Sequence, residues 1–305
     1  IYPDHPVGPA HFNILNTYAL VFTDGSPPAP IDTSWYGNMG LQGWVPLSQR
    51  GGLTGSGITG LDPNYRYTVA LSNANAQYYT TADASGAFAC TGILPGTYTL
   101  QVFKNELSVA SQSVTVSAGI STPVGPISAS DPSAQAAVWR IGDWDGSPQE
   151  LLNGDKVTTM HPSDVRMASW TPGAFTVGTS TARQFPAYSW KDVNGVQTVN
   201  FQLAANQVAD SKVRIGITTA YAGGRPVIRV NNWSSATTAA STQPSSRTLT
   251  IGSYRGNNTL YTFDVPASAL VAGSNTLAIS IVSGSGGSQW LSPGVSYDAI
   301  DFLQS

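Results

Sequence analysis

The chain has 305 residues, a formal net charge of −3 and only 10% charged residues, against roughly 25% in an average domain. That length holds two ordinary domains with sizeable cores. The weak negative charge supplies no basic field for nucleic acid or an anionic membrane surface, and no run of eighteen apolar residues is present to cross a bilayer.

Residues 1–48 begin with a proline-dotted stretch and hold one clear strand pattern, YALVF at 18–22, before the proline-rich crossing at 25–37. One strand with unpaired edges cannot form a core, so this segment is expected to pack on another body. Residues 49–128 change to short alternating strands. Tyr65, Tyr67 and Val69 share one face of RYTVAL, and Tyr98, Leu100 and Val102 share one face of TYTLQVF, the period of two of a half-buried strand. Leu94-Pro95-Gly96 is a turn into the second of these. Cys90 is the single cysteine, so it forms no internal disulfide and is expected as a buried small hydrophobe. Three prolines and small residues at 120–137 mark a domain boundary.

Residues 129–305 carry a longer series of strands: VQTVNFQL, KVRIGITT, PVIRVNN, LYTFDV, NTLAISIV and YDAIDFL, separated by turn clusters. Many short strands at regular spacing indicate a sandwich, and a single domain of this size suits a jelly roll. VPASALVAGSN at 265–275 is the one short helical candidate, with Gly273 and Asn275 as its stop. The fold class is therefore all-β. Abundant Ser, Thr, Gly and Asn suit an extracellular protein with hydroxyl-rich surfaces. Asn232 and Asn257 begin glycosylation sequons, NWS and NNT. No signal-peptide core starts at Ile1, so a secreted protein is expected to have its targeting segment upstream.

The densest chemistry lies at residues 138–170. Asp143-Trp144-Asp145-Gly146 sets two acids around a tryptophan, and His161-Pro162-Ser163-Asp164-Val165-Arg166 gathers three charge-capable groups before Trp170. Aromatic faces beside acids, a histidine and an arginine can grip a polar, charged polymer such as an acidic sugar chain. Equally, Trp144 and Trp170 can be core, with His161, Asp164 and Arg166 paired in a buried network that fixes the loop.

WRIGDWDG at 139–146 and MHPSDVRM at 160–167 resemble the C-terminal module of fungal rhamnogalacturonan endolyases, the family-4 polysaccharide lyases. RIGITTAYAGGRP at 214–226, SRTLTIGSYRGNNTLY at 246–261 and SGSGGSQWLSPGVSYDAIDFLQ at 283–304 follow the same pattern in order. The resemblance runs from about residue 17 to the C-terminus. It implies three parts: the tail of an N-terminal catalytic β-sandwich over 1–48, a fibronectin-III-like domain over 49–128, and a carbohydrate-binding-like jelly roll over 129–305.

The activity it implies is β-elimination at rhamnose–galacturonate bonds of pectin. Such a reaction must neutralise the carboxylate, remove the C5 proton and help the C4 oxygen leave. In the family a lysine and a histidine of the N-terminal module do this. The first lysine here is Lys104, so the catalytic lysine is absent. The family's His-Gly-Pro precedes the strand matched by residues 18–22. His11 reaches that position only with a small insertion, and direct alignment places Leu15 or Asn16 there.

The family also uses arginine from the third module to reach substrate, which points to Arg247 and Arg255, with Tyr254 beside them for a sugar ring. A guanidinium meets a carboxylate in a two-bond fork, and the implied ligand is an acidic pectic polysaccharide. A missing N-terminal chain or segment is the other implied partner. No cofactor is required; Asp143, Asp145, Asp298 and Asp301 could supply oxygen ligands to one structural calcium. The alternative function is a lectin-like binding protein built from the same modules with no chemistry of its own.

Overall fold

The computed structural model describes residues 22–26, 34–40, 43–157, 159–239, 243, 248–251 and 253–304. The chain forms two compact units, Ile1–Leu47 and Ser48–Ser305. In the first unit, Asp24 closes a bend by accepting from the Ser26 backbone N–H (3.1 Å) and hydroxyl (2.5 Å), and Ser34–Met39 is a 3-10 turn. Most of the strand expected at 18–22, and His11, lie outside the described residues.

The second unit begins with two facing sheets. Strand Gly51–Gly55 lies between Phe88–Ile93, antiparallel, and Ser121–Val124, parallel. Opposite it, Gln77–Thr81, Tyr67–Ser72, Gly96–Lys104 and Leu107–Val116 form an antiparallel four-stranded sheet in that order. Tyr67, Val69 and Leu71 alternate inward from one strand, and Tyr98, Leu100 and Val102 from its neighbour. With Leu53, Phe88, Ile93 and Val116 they make one apolar core. The Tyr98 hydroxyl donates to the Leu94 carbonyl at 2.8 Å, which ties the Leu-Pro-Gly turn to the strand that follows it. Cys90, across from Leu53 in strand Phe88–Ile93, is half-buried against this core rather than fully enclosed.

A second sandwich follows from Trp139. One sheet runs Trp139–Gly142, Gly294–Gln304, Ser211–Tyr221, Thr259–Val265, with Tyr188–Trp190 also paired to Gly294–Gln304. The other runs Phe175–Thr176, Val196–Leu203, Gly273–Val282, Arg225–Val230, Trp233–Ser234. Their inner faces share a core in which Trp139, Phe201 and Phe302 stack at 5.2–5.8 Å. Gly294–Gln304 is buried along almost its whole length, so both of its faces are covered. One faces the opposing sheet. The other is covered by loops and carries Asp298 and Asp301.

Among the described residues there is no α-helix, only short 3-10 turns, and no helix long and apolar enough to cross a membrane. The helical candidate at 265–275 is a single turn, Ala267–Ala269. Asn275 prevents its extension: its Oδ1 accepts from the Val271 N–H (3.0 Å) and its Nδ2 donates to the carbonyls of Val271 and Gly273. With Gly273 at φ +94°, the chain turns straight into strand Gly273–Val282.

Candidate functional site

Asp301 organises the outer face of the first sheet of the second sandwich. The strand register places it directly between Arg140 on one neighbour and Arg214 on the other. Arg214 donates to its two oxygens at 2.9 and 2.6 Å, and Arg140 donates twice to Oδ2, at 3.2 and 3.3 Å. Trp144 Nε1 adds a bond at 3.0 Å, and the Arg214 guanidinium lies 5.2 Å over the Trp144 ring. Asp301 is wholly buried and Arg214 nearly so, so the charges are matched where water cannot screen them. The close approach of Trp144 needs Gly216, where a Cβ would stand 2.4 Å from the ring.

The same arginines hold the connection between the two sandwiches. Arg214 donates to Gln135 Oε1 (2.8 Å) and to the Pro132 carbonyl (2.8 Å), and Arg140 donates to the Ser133 and Gln135 carbonyls. Pro132–Ala134 is a 3-10 turn capped by Asp131, and Asp131 takes a buried ion pair from Lys104 at 2.7 Å. Burial works to raise the Asp131 carboxyl, but bonds from Lys104 and Ser133 hold it below the usual range.

The DWDG loop docks onto the turn between strands Gly96–Lys104 and Leu107–Val116. Asp145 Oδ2 accepts from Asn105 Nδ2 (2.8 Å), and the Asp145 carbonyl accepts from the Glu106 N–H (2.8 Å). Gly146, at φ +84°, lies so close that a Cβ would come within 2.4 Å of the Glu106 and Leu107 backbone. From the far side Glu106 receives a two-bond fork from Arg255 (2.8 and 2.7 Å) and the Tyr254 hydroxyl (2.7 Å), while Asn258 donates to its carbonyl (2.8 Å). Burial and the Glu106 carboxylate push the Tyr254 hydroxyl up to about 12.

Four acids gather behind this loop. Asp298 Oδ1 accepts the backbone N–H groups of Asp145 (3.2 Å) and Gly146 (2.7 Å), and Glu150 accepts that of Asp143 (2.7 Å). Burial, reinforced by the neighbouring acids, raises Asp298 well above the carboxylate range and takes Glu150 to about 7. Burial raises Asp145 too. Asp298 also lines a cleft of about 570 Å³ between the sandwiches, with Ser108 and Pro132 on one side and Arg214, Asn258 and Leu260 on the other.

The residues singled out in sequence are thus placed as follows. Asp143, Asp145 and Asp298 share one neighbourhood, but Asp301 is committed to two arginines and a tryptophan. Among the described residues no three His, Cys, Asp or Glu side chains are arranged to hold a metal ion, so the four aspartates do not fit a calcium cage. Arg255 does bind a carboxylate through its fork, yet that carboxylate is Glu106. Tyr254 is buried with its hydroxyl on Glu106, not open to a sugar ring. Arg247 and His11 lie outside the described residues.

Asp164 and Arg166 pair with each other at the surface, not in a buried network. His161 joins Ser163 instead at 2.8 Å. The Arg166 bonds take Asp164 down to about 2. Trp144 is core, and Trp170 packs edge-on against Tyr188, Trp190 and Trp290. Asn232 and Asn257 are exposed. Sequence reasoning passed over Arg140, Arg214, Asn105, Glu106 and Glu150. Glu106 had one local signal, its place after Asn105 in a hairpin turn where Asn105 takes φ 48°; the buried arginines had none.

The comparisons with known proteins bear on the same two sandwiches. Residues 137–302 match the family model described as polysaccharide lyase family 4, domain III, and residues 49–124 match polysaccharide lyase family 4, domain II. The chain belongs to polysaccharide lyase family 4. It is 42% identical over 277 residues to "Probable rhamnogalacturonate lyase A" of Aspergillus terreus, covering 90% of this chain and 52% of that protein. It is 40% identical to "Rhamnogalacturonate lyase A" of Emericella nidulans and 38% identical to that of Aspergillus aculeatus, covering 94% of this chain and 54% of each relative. The chain therefore spans about half the length of the curated relatives it matches.

Proposed function

We propose that this chain is the C-terminal part of a secreted rhamnogalacturonan endolyase, in which domains II and III hold an acidic pectic chain for a catalytic module elsewhere in the protein. The observation that carries this is the match of both sandwiches, in order, to the second and third domains of one polysaccharide lyase family. The relatives, rhamnogalacturonate lyases by name, supply the substrate class. No lysine precedes Lys104, which fits a reading in which a further module carries proton abstraction, and exposed Asn232 and Asn257 suit glycosylation on a secretory route. In this reading Arg247 recognises the substrate carboxylate, and Arg255 is already forked onto Glu106.

Elimination creates a C4–C5 double bond that absorbs in the ultraviolet. The chain alone is expected to bind rhamnogalacturonan fragments by calorimetry and to produce no rise in ultraviolet absorbance. Arg247→Lys should weaken binding about tenfold, because an ammonium cannot reproduce the planar fork. A steady rise in absorbance that is lost in His11→Ala would overturn the division of labour. A preference for neutral over acidic polymers would favour the lectin-like alternative.

A further inference from the structure

The cleft between the two sandwiches has no part in the carboxylate recognition above, and its lining has a specific chemical character. Its volume of about 570 Å³ lies within the roughly 300–1,000 Å³ range of small-ligand sites. The formal charges in its walls are already matched. Arg214 spends its guanidinium on Asp301, Gln135 and the Pro132 carbonyl, and Asp131 is paired with Lys104. An anion entering here finds no open cation, and a cation finds no open carboxylate pair.

Asp298 is the exception that points to a ligand. It is 1% exposed, and Oδ1 takes both of its backbone donors, which leaves Oδ2 as the oxygen available to the cleft. Burial, together with Asp145 and Glu150, raises the Asp298 carboxyl well above the usual carboxylate range, so burial disfavours its charged form. The same cleft is lined by exposed Ser108, with its hydroxyl, and by Asn258, whose Nδ2 is fixed on the Glu106 carbonyl with Oδ1 left as an acceptor. Leu260, 47% exposed, gives one wall an apolar face. Neutral donors and acceptors beside aliphatic carbon match a neutral pyranose, whose ring has both.

We propose that this cleft is a binding site for a neutral sugar residue, held by hydrogen bonds to Asp298, Asn258 and Ser108 with its apolar face on Leu260. The inference rests on the pectin-binding reading for its source of sugar, and it separates recognition of the neutral residues from recognition of the acidic ones. A ligand with no charge also avoids the desolvation cost that a uronate would meet beside Asp298 and Asp131.

The test uses the full chain with L-rhamnose, D-galactose and D-galacturonic acid, followed by saturation-transfer NMR and calorimetry, with rhamnogalacturonan fragments as a separate arm. At least one neutral sugar is expected to bind, and galacturonic acid is expected to show no binding that blocking the cleft removes. Ser108→Trp, a change at an exposed position that fills the mouth of the cleft, should abolish that binding while leaving the melting temperature unchanged. Asp298→Asn, which keeps a polar side chain of the same shape, should retain binding within about threefold.

The proposal is overturned if Ser108→Trp also abolishes galacturonic acid binding, if no neutral sugar binds, or if Ser108→Trp leaves neutral-sugar binding intact. Binding of the polymer without binding of neutral sugars would remove the cleft proposal alone. Failure of the polymer arm would remove the pectin reading itself.

Discussion

Replacing Glu106 by alanine removes the side-chain clasp that Tyr254 and Arg255 make between the two sandwiches. The carboxylate accepts a bond from the Tyr254 hydroxyl at 2.7 Å and the Arg255 fork at 2.7 and 2.8 Å. Tyr254 is 1% exposed, and a buried hydroxyl on a charged acceptor is worth roughly 1.5–3 kcal/mol. The Arg255 side chain is 63% exposed and that of Glu106 32%, so their ion pair is screened and adds only about 0–1 kcal/mol.

The expected loss for Glu106→Ala is therefore about 2–4 kcal/mol, most of it from the stranded Tyr254 hydroxyl. For a folded unit of this size that corresponds to roughly 4–8 °C in Tm. The assay is differential scanning calorimetry of wild type, Glu106→Ala, Arg255→Ala and the double variant. Tyr254→Phe, with no hydroxyl to strand, should cost less than Glu106→Ala, and the cycle should return a Glu106–Arg255 coupling below about 1 kcal/mol. Wild type should melt in one transition. A Glu106→Ala Tm within about 1 °C of wild type, or two separate wild-type transitions, would refute the clasp.

Three further outcomes follow from the same geometry. Asp301→Ala leaves buried Arg214 without its carboxylate and should cost about 3–5 kcal/mol, read as a fall in the urea midpoint; an unchanged midpoint would mean that the pair is idle. Gly146→Ala puts a Cβ 2.4 Å from the Glu106 and Leu107 backbone at φ +84°, and it should destabilise by roughly 2–5 kcal/mol through strain and overpacking, measured by the same denaturation.

The third concerns pH. Glu150 rises from 4.5 to about 7 on folding, chiefly by burial, so the folded state holds its proton more tightly than the unfolded chain. The resulting stability is fully present below about pH 4.5 and is lost as pH rises through about 7, by at most roughly 3 kcal/mol. Asp145 and Asp298, raised as well, act in the same direction. Asp131, held low by Lys104, opposes them only under more acidic conditions. Tm should therefore fall from pH 5 to pH 8, and Glu150→Gln should flatten that slope; a rise over the same interval would contradict the burial argument.

The period-two alternation at Tyr67–Ser72 and Gly96–Lys104, and the turn clusters that punctuate residues 196–303, carried the all-β class in the sequence itself. A strand needs only its own pattern to declare which face is buried. The family was legible for a similar reason, since DWDG and the segments after it are contiguous strings whose order survives without a fold. What the sequence could not show was which charges would neutralise one another. Arg214 and Asp301 are 87 residues apart and Arg140 and Asp301 are 161 apart, and only strand register sets them side by side.

Arg255 makes the same point from the other direction. Its local context suited a substrate carboxylate, and its fork does hold a carboxylate, but the partner comes from Glu106 in the other sandwich, 149 residues away. The helical pattern at 265–275 was overruled in the same way, because Asn275 bonds back to Val271 and the chain must enter a strand that Val196–Leu203 and Arg225–Val230 pair on either side. Local patterning determined the elements. Long-range pairing of buried charges and hydrogen-bonding groups decided what lies open between the two sandwiches, because a buried polar group must find its partner wherever the fold supplies one.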